Sequence, residues 1–335
     1  MYRRGKFALA VVAAGLAFGM SLVMQGMVTH LGWETTHIVG VFEADQWVVA
    51  DGGTGPFTTM TFIPTAVADR LETQDGVTAA DPFVQAREIL NGLDTFVIGI
   101  RPGGLGEPSV EDGRPLDDSG EVLTATTLGF HPGDVIELAG HPTTVVGTVA
   151  DATYYFGQPA VFAPIEDIQT WYLNGGDVAN GVAVSGRIDS LPPGTAVLSN
   201  QQTMADLDRP QASGRDSIVI LNSLLWMMAA GIVGTLVYLI TLERTRDIAV
   251  LKTMGAKRST LLTGVAVHGL VLSLASLVVG VAVSTVLARV MPFGIRLEVG
   301  GVVKVGTIAI VIGLAASLIG YRRTVGIDPS VAFGR

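Results

Sequence analysis

Five histidines, thirty carboxylates and no cysteine are the groups through which this 335-residue chain could do chemistry. Without cysteine there is no disulfide, no thiolate nucleophile and no thiolate-held zinc or iron–sulfur site. His30, His37, His131 and His141 are scattered without metal-ligand spacing, so no metal site is expected. No His-Glu-x-x-His, Gly-x-Ser-x-Gly or Ser-x-x-Lys pattern occurs. Gly255-Ala-Lys-Arg-Ser-Thr260 has the end of a phosphate loop but lacks its first glycine and follows no strand. The chain is not read as an enzyme, and no cofactor is expected on it.

What remains is a charged segment, Glu243-Arg-Thr-Arg-Asp-Ile-Ala-Val-Leu-Lys-Thr-Met-Gly-Ala-Lys-Arg258, set between two long apolar runs. Ile248, Val250, Leu251 and Met254 form an apolar stripe at helical spacing, flanked by Arg244, Arg246, Asp247 and Lys252. Gly255 stands where a helix C-cap would. Such a helix either lies on anionic lipid or docks into a groove on a partner. Asp247 favours docking, since lipid anchoring has no use for an acid there.

The elements that must hold this segment follow from hydropathy and charge. Mean hydropathy is +0.49 with 15% charged residues, typical of a membrane protein with a water-exposed part. Residues 29–217 carry 26 acids against 7 bases, while the rest carries 4 acids and 14 bases. So acidic a region does not suit nucleic acid. Phe7–Val28 is an apolar run preceded by Arg3, Arg4 and Lys6, and no Ala-x-Ala cleavage site follows it. Basic clusters at 3–6, 244–258 and 322–323 all fall on one side if four spans are present, and that side is the cytoplasm.

The expected order is a cytoplasmic N-terminus with the first span (1–28), an extracytoplasmic α+β domain (29–217) and a second span (218–242). A cytoplasmic helix (243–260), a third span (261–290), an outer loop (291–301), a fourth span (302–321) and a cytoplasmic tail (322–335) follow. The fold class is thus a membrane α-helical protein with four transmembrane helices and an α+β ectodomain inserted between the first and second. Strands are expected at Gln46–Ala50, Phe96–Ile100, Glu121–Thr126, Asp134–Leu138, Thr143–Thr148, Ala160–Ala163, Gly181–Val184 and Ala196–Ser199. Helices are expected at Pro64–Gln74 and Pro164–Leu173. The ectodomain could form two lobes, the second from about Pro108 to Ala163.

The charged segment resembles the cytoplasmic coupling segment of MacB/FtsX-type ABC transporter permeases, roughly Glu-Arg-x-Arg-Glu-Ile-Ala-Val-Leu-Lys-Ala-Leu-Gly-Ala. The tail Arg322-Arg323, then Asp328-Pro329-x-x-Ala332-Phe333, is similar to the family's ending. So are Gly113-Arg114-Pro115, Gly120-Glu121-Val122, Leu128-Gly129-x-x-x-Gly133-Asp134 and Val145-Val146-Gly147 in the ectodomain. The resemblance spans the whole chain and is strongest to the DevC/HrtB-like branch, among short actinobacterial permeases. Asp247 stands where Glu is commoner and Met254 where Leu is, and no long amphipathic helix precedes the first span.

The resemblance implies a homodimer in the lipid bilayer, each copy bound to a cytoplasmic ABC ATPase subunit that carries ATP and Mg. Arg244, Asp247, Ile248, Val250, Leu251, Lys252, Met254 and Gly255 would form the ATPase-coupling surface. It also implies mechanotransmission: movement of the ectodomain drives export of an apolar or amphipathic substrate. The alternative is an FtsX-like transmitter that carries no substrate and regulates an extracytoplasmic protein partner such as a cell-wall hydrolase. Gly15, Gly19, Gln25, Asn222 and Trp226 are candidates for the dimer contact or a substrate cavity, Gly15 and Gly19 being a small-xxx-small pair. His268 is an ionisable group inside a span, read first as a neutral histidine bonded to a neighbouring helix.

Overall fold

The computed structural model describes residues 2–58, 61–155, 157–243, 250, 254, 258–290 and 295–325. They divide into two compact units, Met1–His30 with Arg215–Arg335, and Leu31–Gly214. Two long helices contribute to both: α1 (Tyr2–Val41) and a later helix that begins at Asn200.

The unit Leu31–Gly214 is built on sheet. Its elements in order are β1 (Gln46–Ala50), β2 (Ile63–Pro64), α2 (Ala66–Glu72), β3 (Val77–Leu90), β4 (Leu93–Ile100), β5 (Asp112–Gly113) and β6 (Glu121–Ala125). A 3-10 turn at Thr126–Leu128 leads to β7 (Val135–Leu138), β8 (His141–Val149), β9 (Thr153–Tyr154) and β10 (Gln158–Pro164). Then come α3 (Ile165–Tyr172), β11 (Val178–Ala179), β12 (Gly181–Gly186), β13 (Thr195–Ser199) and α4 (Asn200–Glu243). One path of hydrogen-bonded strands runs β13-β1-β12-β3-β4-β10-β6-β8-β5, with β7 on β8 and β9 on β10. It is antiparallel except where β10 meets β4 and β6 meets β8. The stretch from Pro108 to Ala163 therefore shares one sheet with the rest of the ectodomain.

The longest strand, β3, joins the two parts of that path. Residues 77–83 pair with β12 and residues 84–90 with β4. Pro82, which has no N–H to give, sits just before the hand-over. Asn180, buried beside it, donates its N–H to Phe83 O (2.9 Å) and accepts from Gln85 N on its Oδ1 (2.8 Å).

Two cores lie on this sheet. One holds Val48, Ala80, Val182 and Val184 under Val67, Ala68 and Leu71 of α2. The larger is aromatic: Phe42 lies 4.9 Å from Phe83, 5.1 Å from Trp47 and 5.6 Å from Phe57 between ring centroids. Because β1 is covered on both faces, its three central residues are all buried and no polar alternation is seen. Phe42 directly follows α1, and Asn200 opens α4. The Asn200 amide accepts from Trp47 Nε1 (2.7 Å) and donates to Ala44 O (2.7 Å). Between the helices, Thr35 Oγ1 donates to Asp208 Oδ1 (3.2 Å), while the fully buried Glu34 of α1 accepts from Gly157 N, just before β10 (3.0 Å).

The other unit is helical: the first part of α1, the later part of α4, α5 (Arg258–Val290) and α6 (Val299–Val325). Among the described residues, four helices are long and apolar enough to cross a membrane: Phe7–Val41, Asn200–Glu243, Ser259–Val290 and Val299–Ile319. Two of them differ from the bounds expected from hydropathy. α1 runs on to Val41 and α4 starts at Asn200, well before 218, with Pro210 inside it. At 1.5 Å per residue these helices of 40 and 44 residues far exceed the ~20 residues a bilayer needs. They continue because Leu31, Ile38, Val39 and Leu207 are buried, and Thr35 and Glu34 find hydrogen-bond partners there.

Candidate functional site

Of the coupling-surface residues, Arg244, Asp247, Ile248, Leu251, Lys252 and Gly255 lie outside the described residues. Val250 and Met254 are described, and Met254 N donates to Val250 O (3.1 Å). Both present their side chains outward, Val250 at 44% and Met254 at 78% exposure. An apolar pair four residues apart on one helix face is what a groove-binding helix offers a partner.

The intramembrane candidates separate into three groups. Gly15 and Gly19 pack inside the chain: a Cβ on Gly15 would lie 2.6 Å from Val279 Cγ1, and one on Gly19 3.0 Å from Gly280 O. Both are thus packed against α5 within the chain. Gln25 and Trp226 are also committed within the chain. Lys304 Nζ donates to Gln25 Oε1 (3.1 Å), and Trp226 Nε1 donates to the buried Ser21 Oγ (2.7 Å). Asn222 differs: it is buried, and its Oδ1 meets no hydrogen-bond partner among the described residues.

The Nδ1 of His268 lies 2.7 Å from Gly264 O, one turn earlier on the same helix, so that nitrogen is bonded within α5. Among the described residues no group of three or more His, Asp and Glu side chains could hold a metal ion.

Two features of the membrane unit were not singled out from sequence. One is Lys304. The other is a reciprocal contact between α5 and α6, where a Cβ on Gly269 would collide with Ser317 Oγ and one on Gly313 would lie 2.6 Å from Ser273 Oγ. The signal was present, since Gly269-x-x-x-Ser273 and Gly313-x-x-x-Ser317 repeat the small-xxx-small spacing.

In the ectodomain, the residues that carry the family resemblance form one structural knot around β6 and β8. Arg114 pairs with the mostly buried Glu121, which also accepts from Asp117 N (3.0 Å) and Asp118 N (3.2 Å). These donors hold the Glu121 carboxyl below its usual range, the Arg114 hydrogen bond foremost, and the carboxylate raises the Arg114 guanidinium in turn. Gly113 has φ +97°, and a Cβ there would strike Val146 O. Gly120 N donates to Asp167 Oδ2 (2.7 Å), and Gly133 N to Val145 O (2.7 Å). The motif glycines supply turns and backbone partners, and Val122, Leu128, Val145 and Val146 lie in the core. Burial raises the hydroxyls of Tyr154, Tyr155 and Tyr172, which makes them poor acids in this domain.

Comparison with known proteins places this architecture. The model of the FtsX-like permease C-terminal region matches residues 219–329. An ABC transporter permease of Mycobacterium tuberculosis strain H37Rv is 35% identical over 337 residues, covering 99% of this chain and 97% of its own. A permease of Mycobacterium bovis is 34% identical over the same shares. The periplasmic region of MacB from Actinobacillus actinomycetemcomitans covers 51% of this chain and 95% of its own, at 12% identity and a TM-score of 0.38. The extracellular domain of the ABC-type transporter YknZ from Gram-positive bacteria covers 46% and 98%, at 14% identity and a TM-score of 0.34. Matched to such permeases from end to end, with four apolar helices and a sheet domain after the first, the chain belongs to the FtsX-like ABC transporter permeases and is a multi-pass membrane protein.

Proposed function

We propose that two copies of this chain pair in the membrane and couple ATP hydrolysis by separate ATPase subunits to movement of the ectodomains, extruding an apolar or amphipathic substrate. The observation that carries the reading is the outward-facing pair Val250 and Met254 in the cytoplasmic segment between α4 and α5. An ATPase groove would cover both side chains, and the basic residues around them would face its rim. ATP and Mg belong to that partner, and this chain binds neither.

Support for a mechanical output comes from where the long helices end. α1 ends beside Phe42 in the aromatic core, and the Asn200 amide ties the start of α4 to Trp47 and Ala44. Displacing either end would disturb the larger ectodomain core and not only a surface loop.

The test is direct. Val250→Asp with Met254→Asp should abolish co-purification of the ATPase subunit and permease-dependent ATP hydrolysis. Undiminished co-purification would overturn the coupling surface.

A further inference from the structure

The outer end of the membrane unit carries charge that topology alone disfavours. Arg289, Arg296 and Lys304 fall at or beyond the outer ends of the third and fourth spans, with one acid, Glu298, among them. Basic residues close to span ends are normally kept on the cytoplasmic side. One of them reaches α1 with its charge, Lys304 Nζ donating to Gln25 Oε1 (3.1 Å), next to the backbone bond from Arg296 N to Gly26 O (3.3 Å).

Lys304 is the informative member. Its ammonium rests on a neutral amide, and no carboxylate lies within 4.0 Å of it among the described residues, Glu298 included. It stands five residues into α6, about 8 Å along the helix from Val299. Gln25 lies at a matching depth, three residues from the end of the first apolar run. A charged amine at the hydrocarbon edge extends toward the headgroups, where its charge can be met. The adjoining depression, lined by Gln25, Gly26, Thr29, Arg296, Glu298 and Gly301 among others, has a volume of about 10 Å³. That admits about one water, so the anion must sit against the outside of Lys304.

We infer that Lys304, oriented by Gln25, binds the phosphate of an anionic phospholipid in the outer leaflet. Gln25 Oε1 accepts one ammonium N–H and fixes the head against α1, and the phosphate oxygens accept from the remaining ones. The site is separate from the cytoplasmic coupling surface, and its test reads lipid binding alone.

The experiment is native mass spectrometry of the full-length chain released from detergent, with equal phosphatidylglycerol and phosphatidylcholine supplied. Wild type should retain phosphatidylglycerol in preference by about fivefold, as expected for one lysine at a membrane surface. Lys304→Gln should lose that preference and Lys304→Arg should keep it. Gln25→Ala should reduce it, and supplies the same reading if Lys304→Gln does not elute as a monodisperse species. An unchanged preference in Lys304→Gln, or in Gln25→Ala where that variant stands in, would overturn the site. Displacement of the lipid by millimolar inorganic phosphate would overturn the lipid assignment, because the site would then read a free anion.

Discussion

The two units of this permease are held together by opposite means. The ectodomain is packed with its largest side chains, Trp47, Phe42, Phe57, Phe83 and Phe96, meeting ring against ring. The membrane unit is packed with its smallest, Gly15 and Gly19 against Gly280, and Gly269 and Ser273 against Gly313 and Ser317. Water explains the difference. In the ectodomain, burying a large apolar side chain is itself the driving force. Between membrane helices lipid is as apolar as leucine, so association depends on close approach and on hydrogen bonds. Truncation should therefore damage the first unit, and enlargement the second.

The largest expected effect tests the aromatic core. Phe42→Ala should cost about 3–5 kcal/mol of ectodomain stability, read by denaturant unfolding followed through tryptophan fluorescence. A loss near that of a surface substitution would break the comparison. Next, Gly280→Leu should destabilise the membrane unit by up to about 3 kcal/mol, seen as a lower melting midpoint in detergent. Gly234→Leu is the control, since a Cβ there meets nothing within 4 Å. Equal shifts for the two would show that close approach is not what holds these helices.

A third substitution sharpens the account of the ectodomain motif. Glu121→Gln should cost about 1.5 kcal/mol near neutral pH through its lost charge-assisted bonds. The folded carboxyl ionises below its usual value, so its contribution is complete above the unfolded value of roughly 4.3. It is lost as pH falls through the folded value, and the deficit of the variant should close in acid. A deficit that persists there would assign the cost to packing. The smallest effect is Trp226→Phe, which removes the bond to Ser21 and should lower the detergent midpoint by the equivalent of about 0.6 kcal/mol.

Much of the fold was legible because hydropathy and charge report on solvent directly. β1 is read at its observed bounds of Gln46–Ala50, and α3 falls within Pro164–Leu173. The central strand β3 was missed. Asp81-Pro82 looks like a turn, and Arg87 and Glu88 look like surface, yet Asp81 accepts from Leu105 N (2.7 Å) and Arg87 lies over the Phe96 ring. The extension of α4 was hidden for a similar reason: Pro210 and Gly214 read as breakers, while the groups that hold the helix come from residues far away in sequence. At the candidate site, the coupling motif could be proposed because its stripe is local. The partners of Gln25, Trp226 and His268 could not, since hydropathy marks a polar residue in a span without naming what it faces.

The reciprocal seating of Gly269 under Ser317 and of Gly313 under Ser273 has a mechanical corollary. Each serine occupies the space that a side chain on the opposing glycine would need, so axial sliding by even one residue would drive a hydroxyl into backbone. α5 and α6 are thereby keyed in a single register and behave as one stiff strut. In the coupling proposed above, a stroke at the segment between α4 and α5 would have to be taken up by rotation of this strut against α1 and α4, and not by shear between its two halves.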